Sequence, residues 1–324
     1  MNKRYEQPIP LGWYALEYSE QLAVGEVKAL HYLGRELVLF RTESGQARVV
    51  DAFCPHLGAH LGHGGIVVGE NIACPFHGWQ FDGDGECREV PYAENMPPRV
   101  QNKKVLGSYP VVERNHMIWA WYHPQGEPPS FDVEEVPEFY SPDYGELDVH
   151  DWRINTIVQE AGENGADVAH FMYVHSATEM PVGDVTMDGV RRHTAIKNKV
   201  PRINEQGELS ESADDWEYIH VNSTNIGPGQ TIQRISRAFE VIMMGTVTPI
   251  DDQSIHLRFN FTLPKSQTDM NQVFAEATRD NITFGVEQDI PIWNHKRYVD
   301  DPILCDGDGP IAKYRKWFSQ FYAG

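Results

Sequence analysis

The sequence predicts an α+β protein in which a small all-β domain, residues 1–125, precedes a larger domain, residues 126–324. Short strand-like runs between turn signals fill the first part of the chain, which is typical of small β domains. The Pro-rich, acidic stretch HPQGEPPSFDVEEVPEFYSPDYG then separates two regions of different pattern. Beyond it, longer strand-like runs and helical stretches predict an antiparallel sheet flanked by helices.

The first domain contains a series of short strand-like runs. VKALHYL, ELVLF and ARVVDAF come first, and the turn signal ESGQ precedes the third of them. NIACPF, CREVPY and HMIWAWY continue the pattern to about residue 122. The segments CPHLGAHLGHGG and CPFHGWQF, which are rich in Cys and His, therefore fall on loops of a small β domain.

The second domain combines helical and strand-like patterns. TIVQEAGENGADVAHFMYVH has helical spacing over about residues 156–171. WEYIHVNS, TIQRISRAFEVIMMGTVTPI and SIHLRFNFTLP indicate long strands. A further helical stretch runs from about Asn271 to Lys296, and AKYRKWFSQFY predicts a helix near the end of the chain.

Composition excludes several classes of protein. The 324 residues carry a formal net charge of -20, which disfavours binding to nucleic acid or to anionic membranes. The first residues lack the pattern of a signal peptide, and no apolar run approaches the ~20 residues of a membrane span. Four cysteines are too few for the disulfide scaffold of a small secreted protein. We therefore expect a soluble cytoplasmic protein.

Cys54, His56, Cys74 and His77 form the strongest candidate metal site. Each loop supplies one cysteine and one histidine, whereas zinc fingers usually place both cysteines together. Glycine and proline flank these residues in CPHLG and CPFHG, so that backbone amides can turn toward sulfur. The pattern indicates a [2Fe-2S] cluster in which the two cysteines hold one iron and the two histidines hold the other. A structural zinc site is the alternative.

A second candidate site lies in ENGADVAHFMYVH. On a helix, Asn164, Asp167 and His170 fall on one face, because they are spaced by three residues. His175 lies five residues beyond His170. The helix must therefore end or distort after His170 if both histidines bind one ion. An amphipathic helix with unrelated histidines is the alternative.

A carboxylate ligand for the second site has to come from a distant part of the chain. The best candidate is Asp289, since Val286, Asp289 and Trp293 lie along one helical face that would turn the carboxylate inward. Pro291 removes a helix hydrogen bond and disfavours helix at Ile290, which would bend the chain beside the ligand. The other acidic residues in this region are Asp280, Glu287, Asp300 and Asp301.

The CPH and CPFHGW motifs resemble those of the Rieske domain. Ala59 and Phe76 stand where the respiratory Rieske proteins carry extra, bridged cysteines, so the resemblance is to the oxygenase and ferredoxin types. The spacing Asp-x2-His-x4-His resembles the mononuclear-iron motif of Rieske oxygenases. This resemblance implies that His170, His175 and Asp289 form a two-His-one-carboxylate site for Fe(II), with positions open to O2.

The same resemblance implies a role for Asp167. In the family, an aspartate at this place joins an iron-ligand histidine to a Rieske-ligand histidine of a neighbouring subunit. Here the partners would be His170 and His77 of the adjacent chain, which implies a head-to-tail homotrimer. Asn164, one turn earlier, would support the iron ligands or lie on a plain helix face.

Segments across most of the chain are similar to the branch that contains 3-ketosteroid 9α-hydroxylase oxygenases and sterol 7-desaturases. They are TVTPI, RFNF, EQDIPIWNHK and IACPFHGWQFDGDGECREVPYA. The resemblance implies a helix-grip-like catalytic domain and a terminal oxygenase. Such an enzyme would use O2 and electrons from an NAD(P)H-dependent flavin or iron–sulfur reductase to hydroxylate a bulky apolar substrate of the 3-ketosteroid type.

Other functions remain open on sequence grounds. The same iron site serves aromatic-ring dioxygenases and O- or N-demethylases, so the ligand motifs do not encode the reaction outcome. A Rieske electron carrier or redox sensor would hold the cluster and no third iron.

Overall fold

The computed structural model describes residues 3–177, 180, 182–200, 210, 212, 214 and 216–323. The chain forms two compact units. The smaller unit contains Leu11–Asp132 and Thr248–Asp251, and the larger contains Met1–Pro10, Val133–Val247 and Asp252–Gly324. No helix in the described part of the chain has the length and apolar character that a bilayer crossing requires.

The smaller unit is all-β, as the sequence predicts. Its strands are β1 (Gly12–Tyr18), β2 (Val27–Tyr32), β3 (Arg35–Arg41), β4 (Ala47–Asp51), β5 (Ile66–Val68), β6 (Asn71–Ala73), β7 (Gln80–Asp82), β8 (Cys87–Glu89), β9 (Ser108–Tyr109), β10 (Val111–Arg114) and β11 (Met117–Tyr122). They form one three-stranded sheet, β1-β11-β10, and two four-stranded sheets, β2-β3-β4-β9 and β5-β6-β7-β8. The predicted runs correspond to β2, β3, β4, β6, β8 and β11.

Aromatic residues fill the core of this unit. Every residue of β11, MIWAWY, is buried. The rings of Trp121 and Trp13 meet edge to face, with 5.6 Å between their centroids. The segment that starts at Cys54 precedes β5, and the segment that starts at Cys74 joins β6 to β7. The packed strands therefore bring two loops with the same chemistry to one small sheet.

The larger unit is built on a seven-stranded sheet with the order β12-β18-β17-β16-β15-β14-β13. The pairs β13–β14, β14–β15, β15–β16, β16–β17 and β12–β18 are antiparallel. The strands are β12 (Asp148–Ile154), β13 (Val182–Asp188), β14 (Arg191–Val200), β15 (Glu217–Ile226), β16 (Gln230–Ser236), β17 (Glu240–Pro249) and β18 (Ile255–Thr262). The sheet and its few helices confirm the α+β prediction.

A long helix, α3 (Asp269–Trp293), covers one face of this sheet. Its Ala275 is fully buried in an apolar cluster with Ile235, Val241 and Phe261 from the strands. We call the face of the sheet that carries this cluster the inner face. The hydroxyl of Thr268 caps the helix by accepting a hydrogen bond from a backbone N–H in the first turn.

The predicted helix from Asn271 to Lys296 is therefore confirmed, with ends shifted by two and three residues. Val286, Asp289 and Trp293 are all buried, as their common face predicts. The helix does not stop at Ile290. It continues through Pro291 to Trp293, because a proline near the last turn forfeits few helical hydrogen bonds.

One helix prediction was wrong in extent. In place of continuous helix over residues 156–171, α1 spans Val158–Glu163 and a single turn, α2, spans His170–Tyr173. Gly162 and Gly165 lower helix propensity at the break. The carboxylate of Asp167 accepts a hydrogen bond from the backbone N–H of His170, which offers the chain an alternative to helix.

The helix predicted near the end of the chain is α4, Ile311–Phe318. Arg315 of α4 donates two hydrogen bonds to the carboxylate of Glu163, at 2.6 and 2.9 Å. Such a bidentate pair is strong and fixes orientation as well as distance. It therefore anchors the end of α1, where the chain turns toward His170.

Candidate metal centres

Two similar turns present the Cys- and His-containing loops. The N–H of Gly58 donates to the carbonyl of Cys54, and the N–H of Gly78 donates to the carbonyl of Cys74, both at 2.9 Å. Both glycines have positive φ angles, 77° and 70°, which other residues rarely adopt. The sequences CPHLG and CPFHG thus fold alike because each needs a glycine at the same place.

The two thiols lie inside this arrangement. Cys54 and Cys74 are both buried, and their side chains are close enough to hydrogen bond. Burial raises the pKa of Cys54 to about 11, while backbone N–H groups of His56 and Leu57 oppose that shift. Amides that point at sulfur are what a metal-bound thiolate requires, so the thiols fit a shared iron.

The two imidazoles lie farther out and close together. Ring centroids of His56 and His77 are 4.8 Å apart, and the ring of Trp79 stacks on His56 at 4.5 Å. The indole N–H of Trp79 donates to the hydroxyl of Tyr92 at 2.8 Å, which fixes the stack. Nδ1 of His77 is buried and has no hydrogen-bond partner among the described residues. The four residues therefore form a two-thiol, two-imidazole set.

His170, His175 and Asp289 also converge. One potential ligand atom from each lies within 4.8 Å of the others. Nε2 of His175 is 3.4 Å from Oδ1 of Asp289. Nε2 of His170 is buried without a hydrogen-bond partner among the described residues, which leaves it free to coordinate. Two imidazoles and one carboxylate in this geometry fit a mononuclear metal with open positions.

The carboxylate of Asp289 is held by Asn164. Asp289 is only 5% exposed, and burial raises its pKa, while the neighbouring His175 and His170 oppose the shift. The side-chain amide of Asn164 donates to Oδ2 of Asp289 at 2.9 Å. Asn164 therefore touches a candidate ligand directly and is not a plain helix-face residue.

Gln288, which the sequence patterns do not single out, completes the surroundings of His175. Nδ1 of His175 donates to the side-chain carbonyl of Gln288 at 3.0 Å. This bond keeps the proton on Nδ1 and turns Nε2 toward Asp289. The only signal in the sequence is the position of Gln288 next to Asp289, and a polar residue on a helix is too common to be informative.

Asp167 lies at the edge of this group. Its carboxylate is 38% exposed and stands 4.0 Å from Nδ1 of His170, beyond hydrogen-bonding distance. The ring nitrogen contacts the backbone carbonyl of Asp167 instead. Within one chain, the residue thus orients His170 through its backbone and leaves its carboxylate partly exposed.

Family comparisons agree with both centres. A family model of the Rieske [2Fe-2S] domain matches residues 12–110, and a model described as the 3-ketosteroid 9α-hydroxylase C-terminal domain matches residues 120–322. The chain belongs to the Rieske oxygenases. It therefore holds a Rieske [2Fe-2S] cluster and a mononuclear iron, and it works with O2 and a separate reductase as a terminal oxygenase component.

Two relatives illustrate the closeness of the match. A probable 3-ketosteroid 9α-monooxygenase oxygenase component of Rhodococcus rhodochrous is 31% identical over 96% of this Rieske oxygenase and 79% of the relative. A cholesterol 7-desaturase of Xenopus laevis is 34% identical over 97% of this chain and 72% of the relative. Both matches span the two candidate centres.

Solved structures share the fold at lower identity. Dicamba monooxygenase bound to dicamba superposes with a TM-score of 0.66 at 19% identity and covers 96% of both chains. NdmB of Pseudomonas putida CBB5 superposes with a TM-score of 0.72 at 17% identity, over 94% of this chain and 89% of that one. The fold is therefore shared with other Rieske oxygenases of different sequence.

We expect Gln288→Leu to weaken binding of Fe(II) at the mononuclear site by roughly 10- to 100-fold, because the His175 ring loses its orienting partner. The measurement is a titration of Fe(II) into protein from which a chelator has removed the mononuclear iron. The visible absorbance of the cluster should not change. Glu287→Gln, at the exposed neighbouring position, is the matched control and should bind iron normally. Unchanged affinity in Gln288→Leu would contradict the positioning role.

Proposed function

We propose that this oxygenase hydroxylates a steroid, of the 3-ketosteroid type, at an iron held by His170, His175 and Asp289. The observation that carries the proposal is the convergence of these three side chains beside α3, the helix that supplies Asp289 and packs on an apolar sheet face. Support also comes from relatives named for steroid and sterol oxidation, which match nearly the whole chain.

The proposal assigns the chemistry to two parts of the chain. Residues 1–125 form the electron-accepting Rieske domain, with Cys54, His56, Cys74 and His77 as cluster ligands. Residues 126–324 form the catalytic domain. When bound, the cluster supplies electrons and the iron supplies activation of O2. The residues themselves have to hold these groups, exclude water and place the substrate.

The residues around the iron site act mainly by fixing geometry. Asn164 holds one oxygen of Asp289 by a hydrogen bond, so the other oxygen stays turned toward His175. Gln288 fixes the ring of His175. Because two imidazoles and one carboxylate occupy one side of an ion, the remaining side stays available to O2 and substrate.

The inner face of the sheet offers the apolar surface that a steroid needs. Val241, Met243 and Phe261 pack under α3, the helix that carries Asp289, and the partly buried Val221 and Phe259 at the margin of this cluster would contact the steroid. Ile282 of α3 packs against the same cluster, two helical turns before Asp289. Burial of steroid surface against such side chains would contribute about 25 cal/mol per Å² of apolar area.

Electron entry and assembly are also part of the proposal. The reductase is an NAD(P)H-dependent flavin or iron–sulfur protein, and electrons enter at the loops that carry His56 and His77. The chain forms a homotrimer in which the exposed carboxylate of Asp167 joins His170 to His77 of the neighbouring subunit. The location is the cytoplasm, where Cys87 and Cys305, which are not cluster ligands, would stay reduced.

The direct test is turnover of a panel of 3-keto steroids and sterols with a generic reductase, NAD(P)H and 18O2. We expect one 18O atom per product and one NAD(P)H consumed per hydroxylation. A product that has lost two hydrogens without gaining 18O would make the enzyme a desaturase like its sterol-oxidising relatives. Two 18O atoms, loss of a methyl group, or no turnover of any steroid would contradict the proposal.

Asp167→Ala should lower coupled turnover by roughly 100-fold and leave both metal sites filled, because the residue joins the two imidazoles without binding either metal. Iron and acid-labile sulfide per chain measure the metal sites, and product formed per NAD(P)H measures coupling. Asp184→Ala, which removes an exposed carboxylate from β13, is the control. If Asp167→Ala hydroxylates at the normal rate, the electron route is wrong.

A further inference from the structure

The inner face of the sheet changes from apolar to polar along the strands. The cross-strand register places Ile196, Val221, Ile235 and Val241 in one row. Side chains alternate between faces, so positions two and four residues along each strand point the same way. On β14, β15 and β16 these positions form the polar stripe of the inner face, which consists of Arg192, Thr194, Ser223, Asn225, Thr231 and Gln233, whereas on β17 the same rows hold Met243 and Gly245.

Burial agrees with this assignment. Arg192 and Thr194 are 3% and 5% exposed, whereas Arg191, His193 and Ala195 between and beside them are exposed. Val221, Ile235 and Val241 belong to the apolar cluster under α3. Arg192 and Thr194 are therefore the buried end of the stripe, and the half-buried Ser223, Asn225, Thr231 and Gln233 continue it.

Some polar side chains of the stripe form hydrogen bonds with each other. The side-chain amide of Asn225 donates to the hydroxyl of Thr231 at 2.7 Å, and that of Gln233 donates to the hydroxyl of Ser223 at 2.9 Å. These bonds fix the amide side chains across neighbouring strands. They also leave Oδ1 of Asn225, which is an acceptor, without a donor among the described residues.

The rest of the stripe lacks partners. Nε and Nη1 of Arg192 and the hydroxyl of Thr194 are buried without hydrogen-bond partners among the described residues. Asn225 lies directly opposite Arg192 in the register. Buried polar groups are nearly always hydrogen bonded, so several unpartnered groups at one place point to a ligand.

The positive charge of Arg192 indicates that this ligand is an anion. Its guanidinium lies over the ring of Tyr314, 4.9 Å from the centroid, and burial lowers its pKa. Within the described residues no carboxylate pairs with it, whereas its neighbour Arg191 pairs with Glu134. A buried cation without a counter-charge is unfavourable, and a ligand anion would relieve it.

We propose that the polar stripe binds a carboxylate on the substrate, with Arg192 as the charged partner and the hydroxyl of Thr194 as a second donor beside it. The inference rests on the proposed function and narrows its substrate class to acidic steroids. Guanidinium groups suit carboxylates, because their N–H groups match both oxygens.

The position of Arg192 fits a substrate that lies along the inner face. A Cβ atom added at Gly165 would stand 2.9 Å from Nη2 of Arg192, so this end of the stripe lies at the turn next to Asn164. Ile196, four residues along β14, is about 13 Å away. That span is comparable to the long axis of a fused four-ring skeleton.

The test compares a 3-keto steroid that carries a side-chain carboxylate with the methyl ester of the same compound. Binding is measured by calorimetry and turnover with the reductase. We expect the wild-type enzyme to bind the acid about 10- to 100-fold more tightly than the ester, as for a hydrogen-bonded charge pair. Arg192→Met should abolish this preference, and Arg192→Lys should retain part of it.

Matched variants separate a ligand role from a structural one. Arg191→Met removes the neighbouring charge from the opposite face and should keep the preference for the acid. Without steroid, Arg192→Met should melt at a higher temperature than the wild type, because an unpaired buried charge has been removed. If it fails to fold, Thr194→Val provides the test, and it should weaken binding of the acid more than binding of the ester.

The outcomes distinguish the two proposals. If acid and ester bind equally and both are hydroxylated, the carboxylate site is wrong and the steroid function stands. The same holds if Arg192→Met keeps the preference for the acid. If neither compound binds nor is oxidised, the proposed function fails and the carboxylate site fails with it.

Discussion

The buried carboxylate of Asp289 is the charge on which the arrangement of the larger unit depends. An ionised carboxylate in a protein interior costs several kcal/mol unless hydrogen bonds or opposite charges compensate it. Here one oxygen accepts a hydrogen bond from Asn164 and the other faces His175. The break between α1 and α2 lets Asn164 and His175 both reach this carboxylate. Arg315 holds the end of α1 in that position through Glu163. A bound cation completes the compensation, so metal binding and local folding support each other.

The inner face of the sheet also contains buried polar groups that do not stabilise the fold. Apolar side chains under α3 account for packing, whereas Arg192 and the unpartnered groups beside it disfavour the folded state. Proteins tend to tolerate such local conflicts at functional sites, where a ligand relieves them. The metal centre and the polar stripe are alike, since each contains buried polar groups that have no partner in the described part of the chain. One set fits a cation, and the other fits an anion.

The sequence was most informative where chemistry forces a local pattern. The Cys-x-His and Cys-x-x-His loops, and the helical face that buries Asp289, could be read from spacing alone. The break between Glu163 and His170 could not, because periodicity reports which residues share a face and not whether a glycine-containing helix persists. Gln288 and Arg192 were missed for a related reason. Gln288 matters because it contacts His175, which is distant in sequence. Arg192 matters because Nε and Nη1 of its guanidinium lack a hydrogen-bond partner among the described residues. Neither property can be recognised before the chain is folded. The resemblance to a family supplied the ligand role of Asp289, for which spacing left other acidic residues open.

We propose above all that electrons stored in the cluster serve chemistry at the three-residue iron site. A single-turnover experiment tests it most directly: the enzyme is fully reduced, freed of reductase, mixed with steroid and O2, and quenched over time. The account predicts product in proportion to mononuclear iron, formed together with loss of the reduced-cluster signal. Protein lacking only the mononuclear iron should give no product. The contradicting result is oxidation of the cluster at the same rate without product, in protein that has both metal sites filled and steroid bound. That result would favour an electron carrier.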